Sequence, residues 1–190
     1  VMSAIDLKNS RILITNDDGY FSPGINLLKS ILETFSNDVW IVAPEFEKSA
    51  ASPALSFTSD LNLKEQGEKI FSVNGTPGDC VAIALDRVLK GKRPDILLSG
   101  VNSGCNIGED TTYSGTIAGA MEGIMRKVPS ISISQNYESG HIIENRSSSA
   151  CPGFRPALPG RAPTSVAGSL VGWEPPLAAK LRASTAESNK

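Results

Sequence analysis

Short, fully apolar runs alternate along this chain with longer stretches in which apolar positions recur every three or four residues. Residues 11–15 (RILIT) form the first run, and Asn16-Asp17-Asp18-Gly19 breaks it at once. This reads as a buried strand ending in a turn. Ser22 and Pro23 mark a helix start, with Ser as N-cap and Pro at the first helical position. Ile25, Leu28, Ile31, Leu32 and Phe35 follow at helical spacing until Asn37-Asp38 stops them. Residues 39–43 (VWIVA) predict a second strand, closed by Pro44, and residues 45–56 read as loop. Residues 61–63 and 69–73 predict a small hairpin around Gln66-Gly67. Gly75-Thr76-Pro77 opens a helix whose apolar face is Cys80, Val81, Ala84, Leu85, Val88 and Leu89. Residues 95–99 (DILLS) predict a third core strand, followed by a glycine-rich loop over 100–108. Ser114-Gly115-Thr116 begins a helix that runs to about Lys127, and residues 130–134 (SISIS) predict a fourth strand.

Strands alternating with helices imply right-handed crossovers, so the predicted fold class is α/β: a doubly wound, mostly parallel sheet with helices on both faces. In such a sheet, ligands bind beyond the carboxyl ends of the strands. The residues expected there are Asn16, Asp17, Asp18 and Gly19 after the first strand, Glu45, Glu47, Lys48, Ser49 and Ser52 after the second, and Ser99, Asn102, Ser103, Asn106 and Asp110 after the third.

Composition changes this picture in one respect. The 190 residues carry 18 Lys/Arg against 20 Asp/Glu, a net charge of −2. There is no global basic field for duplex nucleic acid or an anionic membrane. The average hides a break: residues 1–145 hold 12 Lys/Arg against 18 Asp/Glu, whereas residues 146–190 hold 6 against 2. All 16 isoleucines precede Arg146, and six of the 12 prolines follow it. The expected organisation is a globular segment over 1–145 and a low-complexity, irregular or disordered tail over 146–190, within which residues 177–183 could form a short helix. No run approaches the roughly 18 apolar residues of a membrane span, and the first eight residues lack the apolar core of a signal peptide. Cys80, Cys105 and Cys151 are odd in number and widely spread, which argues against a disulfide framework and for the cytoplasm.

Asp17-Asp18 is the sharpest local feature. Adjacent carboxylates repel, so both ionise comfortably only beside a cation or a cluster of donors. With Ser49 and Asn102 the available ligands are all oxygen, which favours Mg²⁺, Mn²⁺ or Ca²⁺ over zinc. Ser114-Gly115-Thr116 at a helix start offers free N–H groups, two hydroxyls and the positive end of a helix dipole, a cradle for phosphate. A metal beside a phosphate site suggests phosphate ester hydrolysis. Each motif has a plainer reading, as a solvated turn or an ordinary Ser cap; their convergence on one sheet edge favours the site. His141, the only histidine, has no obvious partner, so a His-dependent triad is not expected. Gly91-Lys92 lacks the spacing of a P-loop. Asp79 is placed to serve the first turn of its helix. Tyr113 and Phe21 could line a wall for a base, or simply pack.

These residues resemble a known family. The ordered set Ile14-Thr15-Asn16-Asp17-Asp18-Gly19, Ala43-Pro44, Lys48-Ser49-Ala50-Ala51-Ser52, Gly75-Thr76-Pro77-Gly78-Asp79-Cys80-Val81, Ser99-Gly100-Val101-Asn102-Ser103-Gly104-Cys105-Asn106-Ile107-Gly108 and Tyr113-Ser114-Gly115-Thr116 is similar to the SurE family of stationary-phase survival proteins. The resemblance implies a Rossmann-like fold and a metal-dependent 5′-nucleotidase, often active on 3′-nucleotides, that converts nucleoside monophosphates to nucleoside and phosphate. It implies one divalent cation per subunit, Mg²⁺ or Mn²⁺, held by Asp17, Asp18, Ser49 and Asn102, with Asp17 and Asp18 catalytic. It places Asn16, Asn106, Ser114, Gly115 and Thr116 around the substrate phosphate. It further implies a homodimer or homotetramer built by the C-terminal region. That region departs here: the resemblance fades between Ser134 and Asn145, so the C-terminal part of the family fold is expected to be missing through truncation or a frameshift. Two alternatives follow. One is an inactive remnant that binds metal without turnover. The other is a receiver-like Mg²⁺-binding module, disfavoured because Ser99 and Gly100 stand where its phosphorylated Asp would be.

Overall fold

The computed structural model describes residues 5–48, 56, 60–135 and 166–169. Three strands whose residues are almost all buried, β1 (Ile12–Thr15), β2 (Val39–Pro44) and β5 (Ile96–Ser103), and a fourth with alternate residues buried, β6 (Ser130–Gln135), form its centre. A hairpin of β3 (Leu63–Gly67) and β4 (Ile70–Val73) and a short strand β7 (Val166–Ser169) complete one sheet of order β3-β4-β2-β1-β5-β6-β7. The five strands from β4 to β6 pair in parallel, and β3 and β7 pair antiparallel at the two edges.

Alternation along β1 divides the core. Ile12 and Ile14 meet Ile25, Leu28 and Leu32 of helix α1 (Pro23–Leu32) on one face, together with Ile41 of β2 and Leu98 of β5. Leu13 meets Cys80, Val81 and Ala84 on the other face, with Val42 and Leu97. Helix α2 (Pro77–Ile83), its π-helical continuation over Ala84–Val88, and α3 (Gly115–Met125) belong to this second side, with α2 packed against α3. Helices therefore cover both faces, as the alternating pattern predicts. Each fully buried aliphatic side chain here contributes about 1.5–3 kcal/mol of transfer free energy.

Local signals set the helix starts. Thr76 caps α2 in a reciprocal box: its hydroxyl accepts from the Asp79 N–H at 3.2 Å, and the Asp79 carboxylate accepts from the Thr76 N–H at 2.8 Å. Asp79 also accepts from the Ser56 N–H at 2.9 Å. At the opposite end of the sheet from the strand carboxyl termini, Asp38 accepts from Arg11 Nε and from Trp40 Nε1, both at 2.7 Å, with Lys69 Nζ at 3.4 Å. Bonds from Arg11 and Trp40 outweigh burial and hold the Asp38 carboxyl below the usual carboxylate range. Its folded-state pKa is depressed, so its stabilisation is present above the unfolded value and is lost as pH falls through the folded one. Asp38→Asn is expected to cost about 1–2 kcal/mol at neutral pH and to flatten the acid limb of the melting temperature measured against pH. Parallel acid limbs for the two proteins would refute the assignment.

Three elements differ from expectation. The first hairpin strand starts at Leu63, and its turn lies at Glu68-Lys69, where Lys69 takes φ +58°. Gln66 and Gly67 instead form an irregular end to β3. β5 runs on to Ser103, so the first part of the expected glycine-rich loop is strand, with its register shifted between Ser99 and Asn102. Within the tail expected to be irregular, Val166–Ser169 pairs antiparallel with β6; four residues are too few to show a period, and the pairing needs only backbone. The remainder of residues 146–190, including 177–183, lies outside the described residues, as do His141 and Cys151. Among the described residues no helix is long and apolar enough to cross a membrane. Cys80 is a buried free thiol, whereas Cys105 is disulfide-bonded, against the expectation from cysteine spacing.

Candidate metal and phosphate site

From β1 the chain moves one way along the sheet to β2 and β4, then returns to the other side of β1 as β5. The reversal opens a crevice between the carboxyl ends of β1 and β5, the place where α/β sheets bind ligands. A cleft of about 340 Å³ lies there, lined by Asp17 from the β1 turn, Asn102 to Asn106 from the end of β5, and Asp110, Tyr113, Ser114 and Gly115 from the start of α3.

Asp17 is fixed on several sides. Its backbone carbonyl accepts from the Lys48 N–H at 2.8 Å. Its Oδ1 accepts from the Thr116 hydroxyl at 2.5 Å, and the Thr116 N–H also bonds this carboxylate. A Cβ on Gly115 would lie 2.8 Å from the Asp17 Cβ and 3.0 Å from its Oδ2, so only glycine lets helix and carboxylate approach this closely. Burial outweighs these bonds and raises the Asp17 pKa. Asp18 is half-buried; burial first and the Asp17 charge second push its pKa up to about 6, although its Oδ2 accepts from the Ser103 N–H at 3.4 Å. Glu47 adds to both shifts.

The sequence-predicted residues fall into three groups. Asp17, Asn102, Asn106, Ser114 and Gly115 line the one cleft, and Asp18 is tied to its Ser103 edge. Asn16 and Thr116 stand behind it. Asn16 is fully buried, and its amide donates to the Gly19 carbonyl at 2.9 Å and the Ser22 hydroxyl at 2.8 Å. These bonds tie it into the aspartate turn. Thr116, also fully buried, spends its hydroxyl and N–H on Asp17, so the expected phosphate cradle is narrower than its three residues suggest. Ser114 accepts from the Ile117 N–H at 3.2 Å as the cap of α3 and keeps its own hydroxyl proton to donate. Ser49, the fourth predicted metal ligand, lies outside the described residues.

Sequence reasoning missed two supports. Ser103 reaches Asp18 through its backbone N–H, which no side-chain motif records. Ser134 accepts from Asn106 Nδ2 at 2.8 Å and ties the loop to β6; the polar positions alternating through SISIS were the available signal. Phe21 is exposed but is not among the residues that line the cleft.

The donor set suits a hard divalent cation. The cleft lining offers the Asp17 and Asp110 carboxylates and the Asn102 and Asn106 amides, with Asp18 at the Ser103 edge, and no histidine, Lys or Arg among the described lining residues. Burial raises the pKa of both Asp17 and Asp18, the Asp17 charge raises that of Asp18 further, and a nearby cation would offset both shifts.

Comparison with known proteins places this geometry. The family model described as Survival protein SurE matches residues 12–158. A protein of Methylorubrum populi named 5′-nucleotidase SurE is 52% identical over 130 residues, 68% of this chain and 51% of its own length. One of the same name from Paramagnetospirillum magneticum is 48% identical over 139 residues, 73% of this chain and 54% of its own. The crystal structure of SurE protein from Aquifex aeolicus superposes with a TM-score of 0.65 at 44% identity, covering 68% of this chain and 52% of that one. The chain spans about half the length of the curated relatives it matches. With the family model matched over most of the chain and relatives about half identical to it, the chain belongs to the SurE family.

Proposed function

We propose that this chain carries a metal-dependent phosphatase centre that hydrolyses nucleoside monophosphates, 5′-nucleotides first and 3′-nucleotides as a second class. One observation carries the reading: a cleft at the sheet's switch point gathers buried oxygen donors around Asp17 and has no cationic side chain of its own among the described residues. A phosphate dianion entering beside two carboxylates needs a cation. The relatives' name, 5′-nucleotidase SurE, supports the substrate class.

Asp17, Asp18 and Asn102 would hold one Mg²⁺ or Mn²⁺, with Ser49 as the fourth ligand carried from the family resemblance. When bound, such an ion neutralises charge on the phosphate and lowers the pKa of water. The protein's own groups do the rest. Thr116 and Gly115 hold the Asp17 carboxylate in one orientation. The Gly115 N–H and the Ser114 hydroxyl donate to phosphate oxygens at the positive end of α3, and Asn106 lies at the same wall. Asp18, restrained in fewer ways than Asp17, orients the attacking water and takes its proton. The water oxygen bonds to phosphorus, the ester P–O bond breaks, and the leaving nucleoside oxygen takes a proton from solvent while Asp18 later returns its own to solvent. A cytoplasmic location goes with this reading, and the disulfide of Cys105 would then be reduced in the cell.

Phosphate release from 5′-mononucleotides in Mn²⁺ and in EDTA tests the proposal. Turnover in Mn²⁺ and none in EDTA is expected. Folded, metal-loaded protein without turnover would favour the second reading, a chain that binds metal only. Turnover unaffected by EDTA would overturn the metal centre.

A further inference from the structure

Tyr113 stands out from the rest of the cleft. It lines the same wall as Ser114 and Gly115, yet its side chain is 73% exposed, the highest value among the large apolar and aromatic residues described. No ring contact or hydrogen bond of its side chain occurs among the described residues, whereas Tyr20 packs edge-on against Phe21, and Trp40 stacks on Phe71. Its backbone is nonetheless held: the Tyr113 N–H donates to the Asp110 carbonyl at 3.1 Å, and the next residue is the cap of α3. A fixed pedestal thus carries a solvated aromatic face at the mouth of a polar cleft. Such a ring gains by burying its face against another flat one.

We infer that Tyr113 is the stacking surface for the base of a bound nucleoside monophosphate. The inference rests on the phosphatase reading and extends it to the nucleoside part of the substrate. A phosphate seated at Ser114 and Gly115 leaves its nucleoside pointing out of the cleft, past the residue immediately before them. The remaining described wall offers little to read a base edge: Asn102 and Asn106 each give one N–H, to the Gly104 carbonyl and to Ser134 respectively, and the phosphatase reading assigns Asn102 to the cation and Asn106 to the phosphate wall. Stacking is indifferent to hydrogen-bond pattern, so all four bases are accepted, and nucleotides are preferred over sugar phosphates.

The test compares dissociation constants of the full, Mn²⁺-loaded chain for the non-hydrolysable phosphonate analogues of 5′-AMP and of ribose 5-phosphate by equilibrium dialysis. Wild type is expected to bind the 5′-AMP analogue about tenfold more tightly. Tyr113→Ala is expected to bring the two constants together, and Tyr113→Phe to keep them apart. An undiminished preference in Tyr113→Ala would overturn the inference, as would equal binding of both ligands by wild type. If wild type binds neither, the phosphatase reading itself falls; the ribose 5-phosphate arm tells that failure from loss of the base contact alone.

Discussion

Asp17→Asn is expected to lower metal-dependent phosphate release by about 10³-fold and to abolish Mn²⁺ binding, with little loss of folded stability. The amide has the shape of the carboxylate, so it fits the space that Gly115 leaves and can keep one bond to Thr116. It lacks the charge. In the metal-free protein that charge is a liability, because burial raises the Asp17 pKa. Removing it relieves desolvation in Asp17 and like-charge repulsion on Asp18, so the metal-free variant is expected to melt no lower than wild type. Metal binding and melting temperature therefore move differently, and the pair of readings separates a metal ligand from a structural carboxylate. Wild-type Mn²⁺ affinity in the variant, or a collapse in its melting temperature, would show that Asp17 is structural.

Gly115→Ala should do comparable damage by steric means. A methyl group there would lie under 3.0 Å from the Asp17 Cβ, and neither partner can retreat. Asp17 is anchored by Lys48 and Thr116, and Gly115 is the first residue of an eleven-residue helix. The expected result is a displaced carboxylate, a fall in kcat/KM of about 10²-fold, and about 1–3 kcal/mol of lost stability. Gly91→Ala is the control: nothing lies within 4 Å of its Cβ position, so only the strain of its φ of +95° is at stake and activity should not change. Equal activity in Gly115→Ala and wild type would contradict the close packing of α3 on Asp17.

The centre of the fold was readable because β1, β2 and the first part of β5 are buried on both faces and read as apolar runs, and because β6 alternates with the period of a strand. β3 (LKEQG) was hard to place because its residues are mostly exposed and only backbone pairing defines it. The extension of β5 through Gly100 was hidden for a related reason: glycine there resembles loop, while its φ of +138° and a Cβ position 2.2 Å from the Ile133 carbonyl oxygen reflect close contact with β6. In the site, position along the chain predicted which residues gather at the strand ends. It could not predict which way they turn. Asn16 and Thr116 have the right chemistry for phosphate, and each faces away to hold the Asp17 turn. Gly115 looked like a backbone donor, and its lack of a side chain proves equally important.

The central claim is that one divalent cation, held at Asp17, enables ester hydrolysis by this chain. Phosphate release from 5′-AMP by EDTA-stripped protein, followed as Mn²⁺ is returned, tests it most directly. The account predicts no release without metal, a rise that saturates at one Mn²⁺ per chain, and no rise in Asp17→Asn. Release that persists in EDTA, or that responds to Mn²⁺ equally in Asp17→Asn, would contradict it.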